Sequence, residues 1–111
     1  IDSLTDLMML YHDDIAKRQA CMDLFDIFKK LKCTTVCTAE QEVNPLKHIS
    51  SVLEYQVDGV VLLYNERVGD IRQRALEIFK MRGTKHAGRI FPMKVADTGV
   101  LILSNHPVKA R

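Results

Sequence analysis

The chain has 111 residues, of which 47% are hydrophobic, enough for one small domain with an ordinary core. Its 16 Lys and Arg stand against 14 Asp and Glu, a formal net charge of +2, which excludes a strongly cationic nucleic-acid surface and leaves room only for a local basic patch. Three cysteines, one of them unpaired by arithmetic, argue against a secreted disulfide framework and for a reducing, cytoplasmic compartment; no apolar run approaches the roughly 18 residues of a membrane span, and no signal-peptide pattern opens the chain.

The first residue is Ile1 rather than Met, with an apolar strand already under way, so the chain reads as a fragment or a processed product. Residues 4–11 are apolar without a clear period, a loop or a first helical turn. From Asp13 or Asp14, either of which can cap a helix, Cys21, Leu24, Phe25, Phe28 and Leu31 recur at helical spacing, while Asp23, Asp26, Lys29 and Lys30 take the other side. That is an amphipathic helix, with Asp26 and Lys30 as an i,i+4 pair on its exposed face. Residues 33–39 are short, continuous and rich in β-branched side chains, as in a strand buried in a parallel sheet. On such a strand the Cα atoms of Cys33 and Cys37 would be roughly 13 Å apart, too far to share an ion, so both read as buried structural thiols. The strand ends at Glu40-Gln41-Glu42, and in an open α/β sheet ligands bind outside the carboxyl ends of strands.

Residues 43–51 carry Asn44-Pro45 and read as loop, followed by a second strand over residues 57–64 and a turn at Val68-Gly69-Asp70. Residues 71–81 satisfy two patterns. Ile71, Ala75, Ile78 and Phe79 fit a helix, whereas Leu76, Ile78, Lys80 and Arg82 fit one face of a strand, and periodicity does not choose between them. Residues 89–96 and 99–103 read as a hairpin around Asp97-Thr98-Gly99. Residues 105–111 have no periodic pattern and read as a frayed tail.

Lys80-Met81-Arg82-Gly83-Thr84-Lys85-His86 gathers fixed cations ahead of a glycine, a combination suited to reaching a phosphate. Arg offers a planar fork of donors and Lys a compact point charge. On a strand, Lys80 and Arg82 would share a face about 7 Å apart, the spacing of two parts of one polyphosphate. The bland reading is a hairpin whose charges keep an edge strand soluble.

Asp58-Gly59-Val60-Val61-Leu62-Leu63, then residues 75–86, then Phe91-Pro92 and Asp97-Thr98-Gly99-Val100 resemble in order and spacing the C-terminal half of KaiC-like ATPases of the RecA superfamily. Ile1-Asp2-Ser3-Leu4 resembles the end of a Walker B strand. The resemblance covers nearly the whole chain and implies an α/β, partial RecA-like (P-loop NTPase) fold over residues 1–104: a parallel αβ portion to about Tyr64, then antiparallel hairpin strands, with residues 71–81 one of them. It implies ATP and magnesium as cofactors of the parent. Asp2 would hold the metal's water shell, and Glu40 or Gln41 would sense the γ-phosphate. Lys80 and Arg82, with Thr84 beside them, would reach across a ring interface, homohexameric in the parent, to the neighbour's nucleotide. The sequence departs from the family in one respect: no G-x-x-x-x-G-K-[ST] occurs, so the phosphate-cradling loop is missing, and the carboxylate that polarises water lies upstream in the family.

The isolated chain is accordingly expected to lack ATPase activity and, with an apolar edge unpaired, to self-associate. Two other readings stand beside this one. A RecA-type DNA-binding fragment would use residues 5–15 and 42–51, but neither loop carries the cationic excess that phosphate-backbone binding requires. A non-enzymatic interaction module would use the hairpins for assembly. Ser50 and Ser51 are weak candidates for phosphorylation. His12, His86 and His106 read as solvated or capping side chains, since none has a second ligand at metal-like spacing.

Overall fold

The computed structural model describes residues 1–40 and 52–105, and the chain divides into two compact units, Ile1–Val57 and Asp58–Arg111. Residues 41–51 and 106–111, which carry Gln41, Ser50, Ser51, His106 and most of the expected tail, lie outside the described residues.

In the first unit, Ser3 caps α1 (Leu4–Met8): its Oγ accepts the Asp6 N–H at 3.4 Å and donates to Asp6 Oδ2 at 3.0 Å. The apolar stretch that had no period is thus one short helix. Asp13 caps α2 (Asp14–Leu31), accepting the Ala16 N–H at 2.8 Å and satisfying one of the donors that a helix start leaves without a partner. The helix ends at Lys32, whose left-handed backbone (φ 52°) lets its N–H bond the Lys29 carbonyl at 3.2 Å. Its buried stripe is narrower than the periodicity suggests. Cys21 and Phe25 are buried, Leu24 and Phe28 half-buried, and Leu31, one of the five expected core positions, is 65% exposed in the last turn. The rings of Phe25 and Phe28 pack with centroids 6.3 Å apart. Asp26 pairs with Lys29 at 3.7 Å rather than with Lys30, one turn position short of the expected i,i+4 partner. A third helix, α3 (Val52–Gln56), stands between the expected loop and strand and packs on α2.

Residues 33–39 form no regular strand. They are extended, and among the described residues they make one parallel-type bridge: the Ile1 ammonium donates to the Val36 carbonyl at 2.7 Å, and the Thr38 N–H donates to the Ile1 carbonyl at 2.9 Å. From Ser3 onward the partner segment turns into α1, and one further bond, from the Leu4 N–H to the Thr38 carbonyl, joins the two segments there. Cys33 and Val36 are exposed and Cys37 is half-buried, so of the three thiols only Cys21 is a buried one; burial pushes its pKa up.

The second unit is a four-stranded antiparallel sheet in the order β1 (Gly59–Val68), β2 (Ile71–Met81), β3 (Phe91–Ala96), β4 (Gly99–Ile102). Gly69, at φ 62° in the two-residue loop between Val68 and Ile71, supplies the positive φ that the first central position of a tight hairpin turn demands. Pairing with β1 over its whole length decides the segment whose periodicity fitted helix and strand equally: residues 71–81 are β2. The strand expected over residues 57–64 starts at Gly59, continues to Val68 and pairs antiparallel with β2. The last two strands form the expected hairpin.

β2 contains one irregularity. Val61 pairs with Ile78, but the next residue back, Val60, pairs with Lys80, so Phe79 is an extra residue on β2, a β-bulge. Directly opposed residues share a face and successive residues alternate, so Lys80 lies on the face of Val60, opposite to the face of Ile78 and Val61. Leu76, Ile78, Lys80 and Arg82 therefore do not share the one face that simple alternation predicts: the bulge separates Lys80 and Arg82 from Leu76 and Ile78.

Candidate functional site

The polar residues singled out in the sequence fall into one cluster in each unit. In the first, the chain around Asp2 meets the end of the extended segment. Thr38 donates its hydroxyl to Asp2 Oδ1, the Leu4 N–H donates to the Thr38 carbonyl at 2.8 Å, and the Glu40 N–H donates to Thr5 Oγ1 at 2.8 Å. Asp2, Thr38 and Glu40 are all exposed. The backbone thereby brings Asp2 and the end of residues 33–40 together, as a metal carboxylate and a phosphate sensor on adjacent strand ends would require. Gln41, the other sensor candidate, is outside the described residues. Thr38 and Thr5, which hold this arrangement, were not legible as site residues, because a threonine in a β-branched run signals strand before it signals a hydrogen-bond partner.

The donor chemistry of Asp2 fits a magnesium ion held through water. Magnesium keeps several of its waters and takes one or two carboxylates plus substrate phosphates rather than a protein cage. A carboxylate offers about four lone-pair sites, so the Thr38 bond and a metal-bound water are compatible on Asp2. Among the described residues no group of three or more His, Cys, Asp or Glu converges on one point, so a site of the dedicated, all-protein kind is not what these residues build.

In the second unit the cluster sits where β2 ends. Lys80 is half-buried in the strand, and Arg82 follows its last residue. Antiparallel pairing continues one step past the strand: the Arg82 N–H donates to the Asp58 carbonyl at 2.7 Å, and Arg82 Nη1 donates to Asp58 Oδ1 at 3.0 Å. The Thr84 N–H then reaches the Met81 carbonyl at 3.4 Å, closing a turn with Arg82 and Gly83 at its centre. Gly83 has φ 70°, the value a β-turn of this kind demands at its third residue, and a Cβ there would meet nothing within 4 Å, so its requirement is conformational rather than steric. Arg82 is therefore carried at the corner of a turn fixed on both sides by backbone bonds. Thr84, Lys85 and Arg82 are exposed.

The Asp58–Arg82 pair is missed by the sequence for a countable reason. Counting back from the Val68–Ile71 hairpin in regular register would place Asp58 opposite Met81; the extra residue at Phe79 shifts the register by one and brings Arg82 there. With the two side chains 90% and 55% exposed, the ion pair contributes about 0–1 kcal/mol, too little for stability to be its evident purpose.

Further along the hairpin, the Tyr64 hydroxyl donates to Glu77 Oε2 at 2.6 Å. Burial, then that hydrogen bond and the charges of Glu77 and Glu66, push the phenol up to about 12. Arg89 stacks over Phe91 with 4.6 Å from its guanidinium carbon to the ring centroid and donates to the Ser104 carbonyl. None of the described helices is long and apolar enough to cross a membrane.

Comparison with known proteins gives consistent matches. The family model described as the KaiC ATPase matches residues 1–107. The circadian clock oscillator protein KaiC of Synechococcus elongatus is 36% identical over 104 residues, covering 92% of this chain and 20% of that protein. Its counterpart in Prochlorococcus marinus is 33% identical over 106 residues, covering 94% of this chain and 21% of the relative. Among solved structures, a KaiC-like protein from the hyperthermophilic archaeon Pyrococcus horikoshii superposes with a TM-score of 0.72 at 23% identity, over 90% of this chain and 43% of that one. The chain thus has a partial RecA-like α/β fold and spans about a fifth of the length of the curated relatives it matches.

Proposed function

Because this chain belongs to the KaiC family of ATPases, we propose that it is the C-terminal portion of an ATP-hydrolysing domain that works in a ring, homohexameric in the complete protein, and that it serves two nucleotides. For the nucleotide of its own subunit it supplies Asp2, which holds the water shell of magnesium, and a polar sensor of the γ-phosphate at Glu40 or Gln41. For the neighbour's nucleotide it supplies Lys80 and Arg82, with Thr84 beside them. Magnesium, when bound with ATP, neutralises charge on the phosphates.

The observation that carries this reading is the end of β2. The bulge at Phe79 sets Lys80 and Arg82 apart from the apolar pair Leu76 and Ile78, and the Gly83 turn presents Arg82 in the open. Phosphoryl transfer asks the protein mainly for positioning and charge neutralisation, so two cations held at a strand end supply what the transition state needs. The work of Lys80 is a point charge against a phosphate oxygen; that of Arg82 is a planar fork able to engage two oxygens. Apolar side chains exposed on β1 (Val61, Leu63) and β4 (Val100, Leu101, Ile102) support an assembly that covers them.

The test is Arg82→Ala in the complete ATPase. Turnover should fall by about 10³-fold or more while ATP affinity changes little, since such a finger acts on charge that develops in the transition state. Lys80→Ala should fall less, a point charge being more easily replaced. A loss of ATP affinity with unchanged kcat would instead assign Arg82 to ground-state binding.

A further inference from the structure

We propose that Asp58 is the positioning residue for Arg82, setting the guanidinium's direction before phosphate arrives. The inference rests on the finger reading of Arg82 given above and adds to it a residue that no motif marks. Its basis is geometric. Asp58 and Arg82 are joined twice, by backbone (Arg82 N–H to the Asp58 carbonyl, 2.7 Å) and by side chain (Nη1 to Oδ1, 3.0 Å). The backbone bond fixes where the Arg82 Cα sits, and the side-chain bond fixes which way a long, rotamer-rich side chain leaves it. Both depend on the register shift at Phe79, which brings Arg82 opposite Asp58.

A carboxylate beside a phosphate-seeking arginine is electrostatically expensive, because it repels the anion that the arginine must meet. Its presence is therefore informative. A guanidinium has five N–H donors spread around one plane, so it can keep one anion at Nη1 while other edges of the fork meet a second. Holding the side chain in place beforehand removes reorganisation at the moment of reaction, which is where electrostatic stabilisation gains its effect. Asp58 itself touches neither ATP nor the reacting atoms; it acts through Arg82.

A double-substitution cycle in the complete ATPase separates this role from a structural one, with ring assembly and binding of a fluorescent ATP analogue measured for every variant. An ion pair this exposed biases the guanidinium's direction only modestly, so Asp58→Ala should lower kcat by between about 2-fold and 5-fold with KM for ATP little changed. Asp58→Asn, whose amide oxygen still accepts from Nη1, should recover part of that loss and serves if the alanine variant fails to assemble. In an Arg82→Ala background, Asp58→Ala should cost nothing further, since there is no guanidinium left to orient. If Arg82→Ala is strongly impaired but Asp58→Ala and Asp58→Asn turn over normally, or if the two losses multiply in the double variant, the positioning role is wrong and the finger reading survives. If Arg82→Ala itself turns over normally, both are overturned.

Discussion

The two units hold their polar candidates by different means. In Ile1–Val57, Asp2 and Glu40 are located by threonine hydroxyls and one parallel-type bridge, so the arrangement hangs on a few hydrogen bonds between segments 34 to 37 residues apart in sequence. In Asp58–Arg111, Lys80 and Arg82 are located by a ladder that runs from Val68–Ile71 through Gly59–Met81 and then one step more. Side-chain pins can be removed one at a time, whereas a ladder transmits register, so an error of one residue moves every side chain beyond it to the other face. The same contrast appears in burial: the first unit gathers Leu4, Cys21 and Phe25 around α2, while in the second only Ala75 is buried among the described hydrophobic residues.

The largest expected effect in the first unit comes from its packing. Phe25→Ala removes a buried ring that stacks on Phe28 and should cost about 3–5 kcal/mol, read as lost amide-exchange protection along α2. A loss under about 1 kcal/mol would mean that the α2 stripe is not what holds this unit.

In the second unit, register is the sensitive quantity, and two deletions test it against each other. Deleting Met81 would bring Arg82 opposite Gly59 and onto the other face, and turnover of the complete ATPase should fall by about 10²-fold or more. Deleting Phe79 removes only the extra residue. Lys80 then stays opposite Val60 and Arg82 opposite Asp58, so this variant should be much the milder of the two. Equal losses from both deletions would show that the bulge matters in itself rather than through the faces it sets.

The smallest effect concerns Tyr64. Its phenol is held up to about 12, above its ordinary 10.0, so the fold favours the protonated form. The stability this contributes is fully present below pH 10.0 and is lost as pH rises through about 12. Tyr64→Phe removes one hydrogen bond, so it should cost about 1 kcal/mol at neutral pH and should flatten the stability profile over that alkaline window. A profile as steep in the variant as in the parent would place the titrating group elsewhere.

How much of this was legible in the sequence depends on whether one segment or two carry the information. α2 was legible because a cap at Asp13 and apolar positions from Cys21 to Phe28 are properties of one segment. The Val68-Gly69-Asp70 turn was legible because glycine's positive φ is local. β2 was not decided by its own residues: Ile71, Ala75, Ile78 and Phe79 satisfy a helix, and only the partner strand excludes it. The bulge at Phe79 is a mismatch of counts between two strands, so no single-segment pattern contains it, and with it went the face of Lys80 and the pairing of Arg82 with Asp58. The β-branched run of residues 33–39 was a sound strand signal, yet a strand is a paired object, and here the pairing extends over one bridge. Lys80, Arg82 and Asp2 themselves were visible as residue types in a recognisable order, which is what the family resemblance reads.

The central claim is that Lys80 and Arg82 act on the nucleotide of a neighbouring subunit, and mixing subunits tests it most directly. Complete subunits carrying Arg82→Ala are combined with subunits disabled in the phosphate-loop lysine of their own ATP site, each inactive alone, and ATP turnover is measured on rings shown to contain both. Some interfaces then pair an intact arginine with an intact phosphate loop, and turnover should return at those interfaces. Mixed rings that form and remain as inactive as their components would contradict it and return Lys80 and Arg82 to the charges of a soluble hairpin.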